Sequence, residues 1–302
     1  MRLRRDGPNI ALACTAYCAT LRARISTVPM IDTIRLVCRL TAIFFVSLFL
    51  WLYAMAVRCF SRNDPHKRYR LICTGMSFYS RAVARIIGMR LRVEGTPPKA
   101  PFVLVANHIS FTDILALCTV SPGCFVSKAE VAKWPGLGQL VGATNAIFLR
   151  RETREDIRRV NQMLDMLLGQ GGGILFFPEG TTSDGTSVRP FKSSLFQPAI
   201  DAGVPVHCAA IAYTTPPGAP PPGELVALTG ETRFDQHLKT LLSASGFTGH
   251  LCFSDRAFVA DTRKQLAKDA HALVATLHRE LTSGLGAFQD GRAEGEATAE
   301  GA

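Results

Sequence analysis

Residues 102–113 read FVLVANHISFTD. Five apolar residues in an unbroken run describe a short strand buried on both faces. Asn107 ends the run, and Ser110, Thr112 and Asp113 are residues that favour the start of a helix. A helix over 111–119 follows from that pattern. A buried strand that turns directly into a helix is the repeating unit of an α/β fold. The same turn carries chemistry. Asp113, in the first helical turn, faces back toward His108. A carboxylate beside one imidazole nitrogen fixes the tautomer and raises the basicity of the other. That second nitrogen can then take a proton from an attacking hydroxyl, help worth about 10²–10⁴ in rate. A histidine next to an acidic helix start is also an ordinary structural arrangement, so the pair alone leaves catalysis and capping equally open.

Outward from this turn, GILFFP (173–178) is a second buried strand and EGTTSDG (179–185) the loop that follows it. Ligands of α/β proteins sit beyond the carboxyl ends of strands. Phe177, Pro178, Glu179, Gly180 and Thr181 are therefore candidate binding residues. Gly180 permits close backbone approach, Thr181 offers a hydroxyl and an amide, and Glu179 can hold a substrate hydroxyl or orient a basic group. A tight structural turn is the alternative. IFLRR (147–151) places Arg150 and Arg151 at another strand end, where two guanidinium groups can clamp a phosphate or carboxylate. Lys192, in RPFKSSLF (189–196), and Lys128 are further candidates for an anionic headgroup or carrier, or plain surface lysines.

VPVHCAAIAY (204–213) reads as a third buried strand and RLRVEG (90–95) as an alternating one. Over 154–168 the residues Ile157, Val160, Leu164, Leu167 and Leu168 line one face of a helix. Residues 261–281 form a C-terminal amphipathic helix. Strands alternating with helices predict an α/β domain over 90–285. The tail, 286–302, is rich in Gly, Ala and Glu and is expected to be disordered.

The N-terminal part differs in kind. Residues 40–57, LTAIFFVSLFLWLYAMAV, hold no charge and are bounded by Arg39 and Arg58. Spanning a bilayer core takes about 20 apolar residues, with a range of about 17–25. The segment meets the lower part of that range; a buried core helix or a monotopic hairpin are its alternatives. Residues 71–89, with Arg81 and Arg85 four apart, suggest a helix lying on a membrane surface or half-buried on the domain. Residues 30–89 are accordingly read as membrane-anchoring helices and 1–29 as a basic extension, dispensable or upstream of a natural start at Met30.

The chain's net charge is +10, and residues 1–70 hold 12 Lys/Arg against 3 Asp/Glu. These cations flank an apolar run, so anionic lipid headgroups fit better than nucleic acid. No zinc-finger spacing, arginine-rich run or aromatic platform supports nucleic acid. Nine scattered cysteines without a Cys-x-x-Cys pair read as reduced thiols.

Taken in order, NHISFTD (107–113), Gly142–Arg151, FPEGT (177–181) and Val204-Pro205-Val206 resemble the four blocks of the lysophospholipid acyltransferase family, over roughly residues 75–280. The resemblance implies a mixed sheet flanked by helices, with a membrane helix and an amphipathic helix before it. It also implies that His108 is the base and Asp113 its orienting partner. Asn107 and Ser110 of the first block, Arg150 and Arg151 of the second, the FPEGT residues and Lys192 would surround the acceptor. The acyl donor would be a thioester of coenzyme A or acyl carrier protein, with no metal, cofactor or acyl-enzyme. The setting would be the cytoplasmic (inner) membrane, with the site facing the cytoplasm. One departure stands out. The family's FPEGTRS pattern carries arginine after the threonine, whereas Thr182, Ser183, Asp184 and Gly185 follow here. FPEGTTSDG and PFKSSLF look more like the lyso-ornithine lipid acyltransferase branch, whose acceptor has no phosphate. Lysophosphatidic acid and lyso-ornithine lipid are both expected acceptors.

Two other classes compete. A hydrolase would use Ser110 or Cys118 as nucleophile, but no Gly-x-Ser-x-Gly elbow is present and Ser110 is only two residues from His108. A non-catalytic lipid-binding protein would have no need of the His108–Asp113 pair.

Overall fold

The computed structural model describes residues 10–133, 137–144, 146–150, 154–230 and 233–299, with side-chain contacts falling within 30–285. The chain opens with α1 (Ile10–Phe60), α2 (Pro65–Ile86), β1 (Met89–Glu94), β2 (Phe102–Ala106), α3 (Thr112–Val120) and β3 (Cys124–Lys128). It continues through α4 (Leu137–Ala143), β4 (Ile147–Leu149), α5 (Arg154–Gly169), β5 (Gly173–Phe176) and α6 (Gln197–Asp201). It closes with β6 (Val206–Thr214), α7 (Pro222–Leu225), α8 (Phe234–Ser243), β7 (Phe247–Phe258) and α9 (Arg263–Ala299).

Among the described residues seven strands form one mixed sheet in the order β1-β7-β6-β2-β5-β3-β4. β6 and β7 run antiparallel, and every other neighbouring pair is parallel. β2, β3, β4, β5 and β6 therefore all end at one edge. The buried strand pattern has a simple cause: both faces are covered. Phe102, Leu104 and Ala106 point to the side packed by α2, α3 and α8, and Val103 and Val105 to the side packed by α5 and α9. Each of the Phe, Leu and Val side chains removed from water contributes about 1.5–3 kcal/mol. In α5, Val160, Leu164 and Leu168 form the buried stripe that the periodicity predicts.

α2 begins six residues before the expected start at 71. Asp64 caps it, accepting the Lys67 amide at 2.8 Å, and Pro65 occupies the first turn, where its missing N–H costs nothing. Ile72, Met76, Val83 and Ala84 are buried, while Phe78 on the other face is 65% exposed. The helix is thus half-buried against the domain and keeps an outward apolar residue.

α1 contains the uncharged run and is one continuous helix. By length and composition Met30–Phe60 can cross a membrane. Only 17% of its apolar window is buried, so it is not a core helix. Leu50, Ala54 and Val57 face the domain, whereas Phe44, Phe45, Phe49 and Leu52 face out. Arg35 donates to the Ser243 carbonyl, Arg39 to those of Leu242 and Ala244, and Arg58 to that of Gly142.

Several elements lie outside the sequence expectation: β3, α4, α6 and α7, and with them α8 and β7. α8 and β7 occupy 234–258, and β7 joins β1 to the sheet. The stretch 286–299, expected to be disordered, continues the α9 helical backbone.

Candidate active site

The carboxyl ends of β2, β5 and β6 meet at one edge, and their turns build the site. Asn107 follows β2. Its amide continues the ladder where the backbone turns away: Nδ2 donates to the Ile211 carbonyl at 2.9 Å and Oδ1 accepts the Ile211 N–H at 2.8 Å. Both polar atoms of this buried side chain are thereby engaged with β6, and Asn107, expected beside the acceptor, anchors the turn.

His108 sits next. Its Nδ1 lies 2.7 Å from Asp113 Oδ2, and the imidazole is 18% exposed while the Asp113 side chain is fully buried. The same carboxylate oxygen accepts the amides of Ile109 at 2.6 Å and Ser110 at 2.9 Å. Asp113 Oδ1 accepts the Tyr213 hydroxyl at 2.7 Å. Four donors thus hold one carboxylate, which is how a charge remains tolerable in a dry interior. Among the described residues His108 Nε2 has no hydrogen-bond partner. With Nδ1 bonded to a carboxylate as the N–H tautomer, Nε2 carries the free lone pair.

The turn after β5 closes on the same histidine. The Phe177 ring stacks flat on the imidazole, with centroids 3.9 Å apart and planes 4° from parallel. Glu179 Oε1 accepts the His108 backbone N–H at 2.9 Å. The His108 carbonyl accepts both the amide and the hydroxyl of Ser183, at 2.8 and 3.1 Å. Gly180, at φ 77°, takes the left-handed conformation that makes glycine the fitting residue in this turn. Glu179 is 3% exposed, and among the described residues its second oxygen has no hydrogen-bond partner. Burial pushes its carboxyl up to about 7, and the nearby Asp113 charge adds to that; the His108 and Arg189 amides and the Arg189 charge oppose it.

The other expected residues are placed less centrally. The Lys192 amide donates to the Pro178 carbonyl at 2.9 Å, so its segment buttresses the loop while its side chain is exposed. Thr182, in the run that lacks the arginine of the FPEGTRS pattern, donates its hydroxyl to the Leu228 carbonyl. Thr181 is partly exposed beside it. Arg150 follows β4 at the same sheet edge, three strands from β2 and so about 14 Å away. Its side chain is exposed, and its amide donates to Asp156 at 2.6 Å. Arg151 lies outside the described residues.

Neither alternative nucleophile is placed for attack. Ser110 Oγ is buried without a partner among the described residues and makes no bond to His108. Cys118 is wholly buried on α3, and burial pushes its thiol up to about 12. Tyr213, unmarked in the sequence because it reads as one more residue of a buried strand, is the participant that sequence reasoning missed.

Known proteins resemble this chain in sequence and in fold. The acyltransferase family model matches residues 90–212. The lyso-ornithine lipid O-acyltransferase of Pseudomonas aeruginosa is 45% identical over 123 residues, 41% of this chain and 47% of that one. The 1-acyl-sn-glycerol-3-phosphate acyltransferase of Neisseria meningitidis is 34% identical over 167 residues, 54% of this chain and 64% of its own. The chain thus spans about half to two thirds of the length of these two relatives. The lyso-ornithine lipid O-acyltransferase of Brucella abortus is 34% identical over 215 residues, 67% of this chain and 80% of that protein. The crystal structure of the 1-acyl-sn-glycerophosphate acyltransferase of Thermotoga maritima superimposes with a TM-score of 0.60, covering 83% of this chain and 98% of that one at 22% identity.

Proposed function

From a chain that belongs to the acyltransferase family of the lyso-ornithine lipid and 1-acyl-sn-glycerol-3-phosphate acyltransferases, we propose an enzyme that esterifies a lysolipid hydroxyl with a fatty acyl thioester, using His108 as general base. The observation that carries this reading is the 2.7 Å contact of His108 Nδ1 with Asp113, which leaves Nε2 open at the sheet edge. Nε2 removes the proton from the acceptor hydroxyl as its oxygen attacks the thioester carbonyl. The tetrahedral intermediate collapses by breaking the carbon–sulfur bond. The imidazolium returns its proton to the departing thiolate, leaving an ester, a free thiol and a regenerated base. Asp113 holds the tautomer throughout and stabilises the transient cation. Phe177 fixes the ring from its face. Coenzyme A or acyl carrier protein supplies the thioester, and holding two substrates together removes much of the barrier.

The preferred acceptor in this proposal is lyso-ornithine lipid. The loop after β5 offers Thr182, Ser183 and Asp184 where a phosphate would need a cation, and the Thr182 hydroxyl is already bonded to Leu228. Lysophosphatidic acid is the second acceptor, favoured by exposed Arg150 at the same edge. The test crosses acyl-coenzyme A and acyl carrier protein donors with both lysolipids in purified membranes. Transfer to lyso-ornithine lipid supports the reading; acylation of neither acceptor refutes it.

The apolar outer face of α1 and the lipid acyltransferase relatives support association with a membrane. We place α1 along the cytoplasmic face of the inner membrane rather than across it. Its ties to the domain run from Arg35 to Arg58, roughly 35 Å of helix, about the full thickness of a hydrocarbon core. A helix bound to the domain over that whole length sinks its outer face into one leaflet. Exposed Cys38 and Cys59 bracket the apolar run. In a chain retaining only these cysteines, an impermeant maleimide should label both from the cytoplasmic side. Labelling from opposite sides would mean a spanning helix.

A further inference from the structure

Asp113 is held on its far side by a group outside the motif that supplies it. Tyr213 lies near the end of β6, 100 positions along the chain, and its hydroxyl is 2.7 Å from Asp113 Oδ1. Thr112, also buried, donates its hydroxyl to the same tyrosine oxygen at 2.9 Å. An ionised carboxylate can only accept, so the tyrosine proton points to Asp113 and its lone pair receives the Thr112 proton. The directions of all three bonds follow from that one constraint: Thr112 to Tyr213, Tyr213 to Asp113, and His108 Nδ1 to Asp113. The tyrosine stays protonated, because burial beside the Asp113 charge pushes its hydroxyl well above the usual phenol range.

The backbone shows why Tyr213 lands there. Asn107 pairs through its side-chain amide with Ile211, which locks β6 to the turn that carries His108. Side chains two apart on a strand share a face, so Tyr213 follows Ile211 onto the side of α3. That face carries Ile211 and Tyr213 in the same apolar cluster as Leu115 and Ala116 of α3.

We propose that Tyr213, oriented by Thr112, is a positioning residue that sets the strength of the His108–Asp113 pair by holding the second oxygen of the carboxylate. Its hydroxyl is bonded to Asp113 and Thr112 rather than to the imidazole. Donating to Oδ1 draws charge from the carboxylate and prevents it from rotating away from the imidazole. Without that donor, Oδ1 is a buried acceptor with no partner, a loss that costs more than the bond itself contributes. More of the negative charge then falls on Oδ2, so the imidazolium is held more tightly and the base is freed only at higher pH.

The inference rests on the acyl-transfer reading, and two readouts keep the two separable. The first is the pH profile of transfer by wild type, Tyr213→Phe and Thr112→Val. Tyr213→Phe should lower kcat about tenfold, leave the KM for lysolipid within about twofold, and move the acidic limb of kcat/KM upward by about half a pH unit. Thr112→Val leaves the tyrosine donor in place but unoriented, and should produce the same changes at about a third of the size. The second readout needs no turnover: the low-field proton resonance of the His108 Nδ1–H should shift in both variants. Should Tyr213→Phe fail to fold, Thr112→Val carries the test alone. A folded variant with reduced thermal stability but unchanged kcat, pH limb and resonance would overturn the proposal, leaving Tyr213 a purely structural residue. A resonance that shifts in both variants of a protein whose wild type acylates nothing would support the chain of bonds and refute the acyl-transfer reading instead.

Discussion

Two strand-end turns each bring a buried carboxylate to the same histidine, and the two carboxylates are solvated very differently. The turn after β2 supplies Asp113, whose oxygens accept four protons: from His108, Ile109, Ser110 and Tyr213. The turn after β5 supplies Glu179, which accepts the His108 amide on Oε1, lies near the Arg189 amide and charge, and has no hydrogen-bond partner on Oε2 among the described residues. Burial alone does not decide what a carboxylate does; the number of donors that replace water does. Asp113 is held by its donors against the imidazole. Glu179 is a group poised to change protonation at about pH 7, because nothing fully replaces the water it has lost.

The largest effect should follow from breaking the satisfied side of this pair. Asp113→Asn keeps the shape but offers an amide where His108 needs an anion, which favours the wrong tautomer. Transfer should fall by about 10³–10⁴, the scale seen when a comparable carboxylate is neutralised beside a catalytic histidine. Steady-state kinetics at fixed pH measure it, and a loss below about tenfold would mean that the charge of Asp113 is incidental.

Neutralising Glu179 should do much less to turnover and more to stability. Glu179→Gln still accepts the His108 amide, so transfer should fall by no more than about tenfold, the scale of one modest hydrogen bond. Stability carries the sharper signature. The Glu179 carboxyl rises from an ordinary 4.5 to about 7 in the folded protein. Between those values the folded state holds a proton that the unfolded chain has released. The stabilising contribution is therefore complete below pH 4.5 and is lost as pH rises through about 7. Thermal melts should show Glu179→Gln close to wild type at pH 5 and more stable than wild type at pH 8.5. A variant that is less stable at pH 8.5 would mean that the second oxygen has found a donor, and the contrast with Asp113 would fail.

The contrast also explains what could be read along the chain and what could not. β2, β5, β6 and α5 were legible because each follows from local pattern: unbroken apolar runs for strands covered on both faces, and a three-and-four spacing for the helix. His108 and Asp113 were legible for the same reason, lying five residues apart in one turn. β7 was not. FTGHLCFSDRAF mixes glycine, charge and apolar residues, and becomes a strand because β1 and β6 flank it from distant parts of the chain. Tyr213 was invisible in the same way: its hydroxyl matters only once Asn107 has set the register of β6. The roles expected of Asn107 and Glu179 also depended on distant partners. Asn107 turned out to bind Ile211, and Glu179 to hold the backbone of the histidine itself.

The central claim is that His108 supplies the base and that transfer proceeds without a covalent enzyme intermediate. Its most direct test is acyl transfer by His108→Ala, prepared in membranes and shown by thermal melt to be folded, with the donor and acceptor that serve the wild type. The account predicts a fall of at least about 10²-fold, with membrane association unchanged and no acyl group trapped on either protein. Turnover retained near the wild-type rate, or an acyl-enzyme isolated on Ser110 or Cys118, would contradict it.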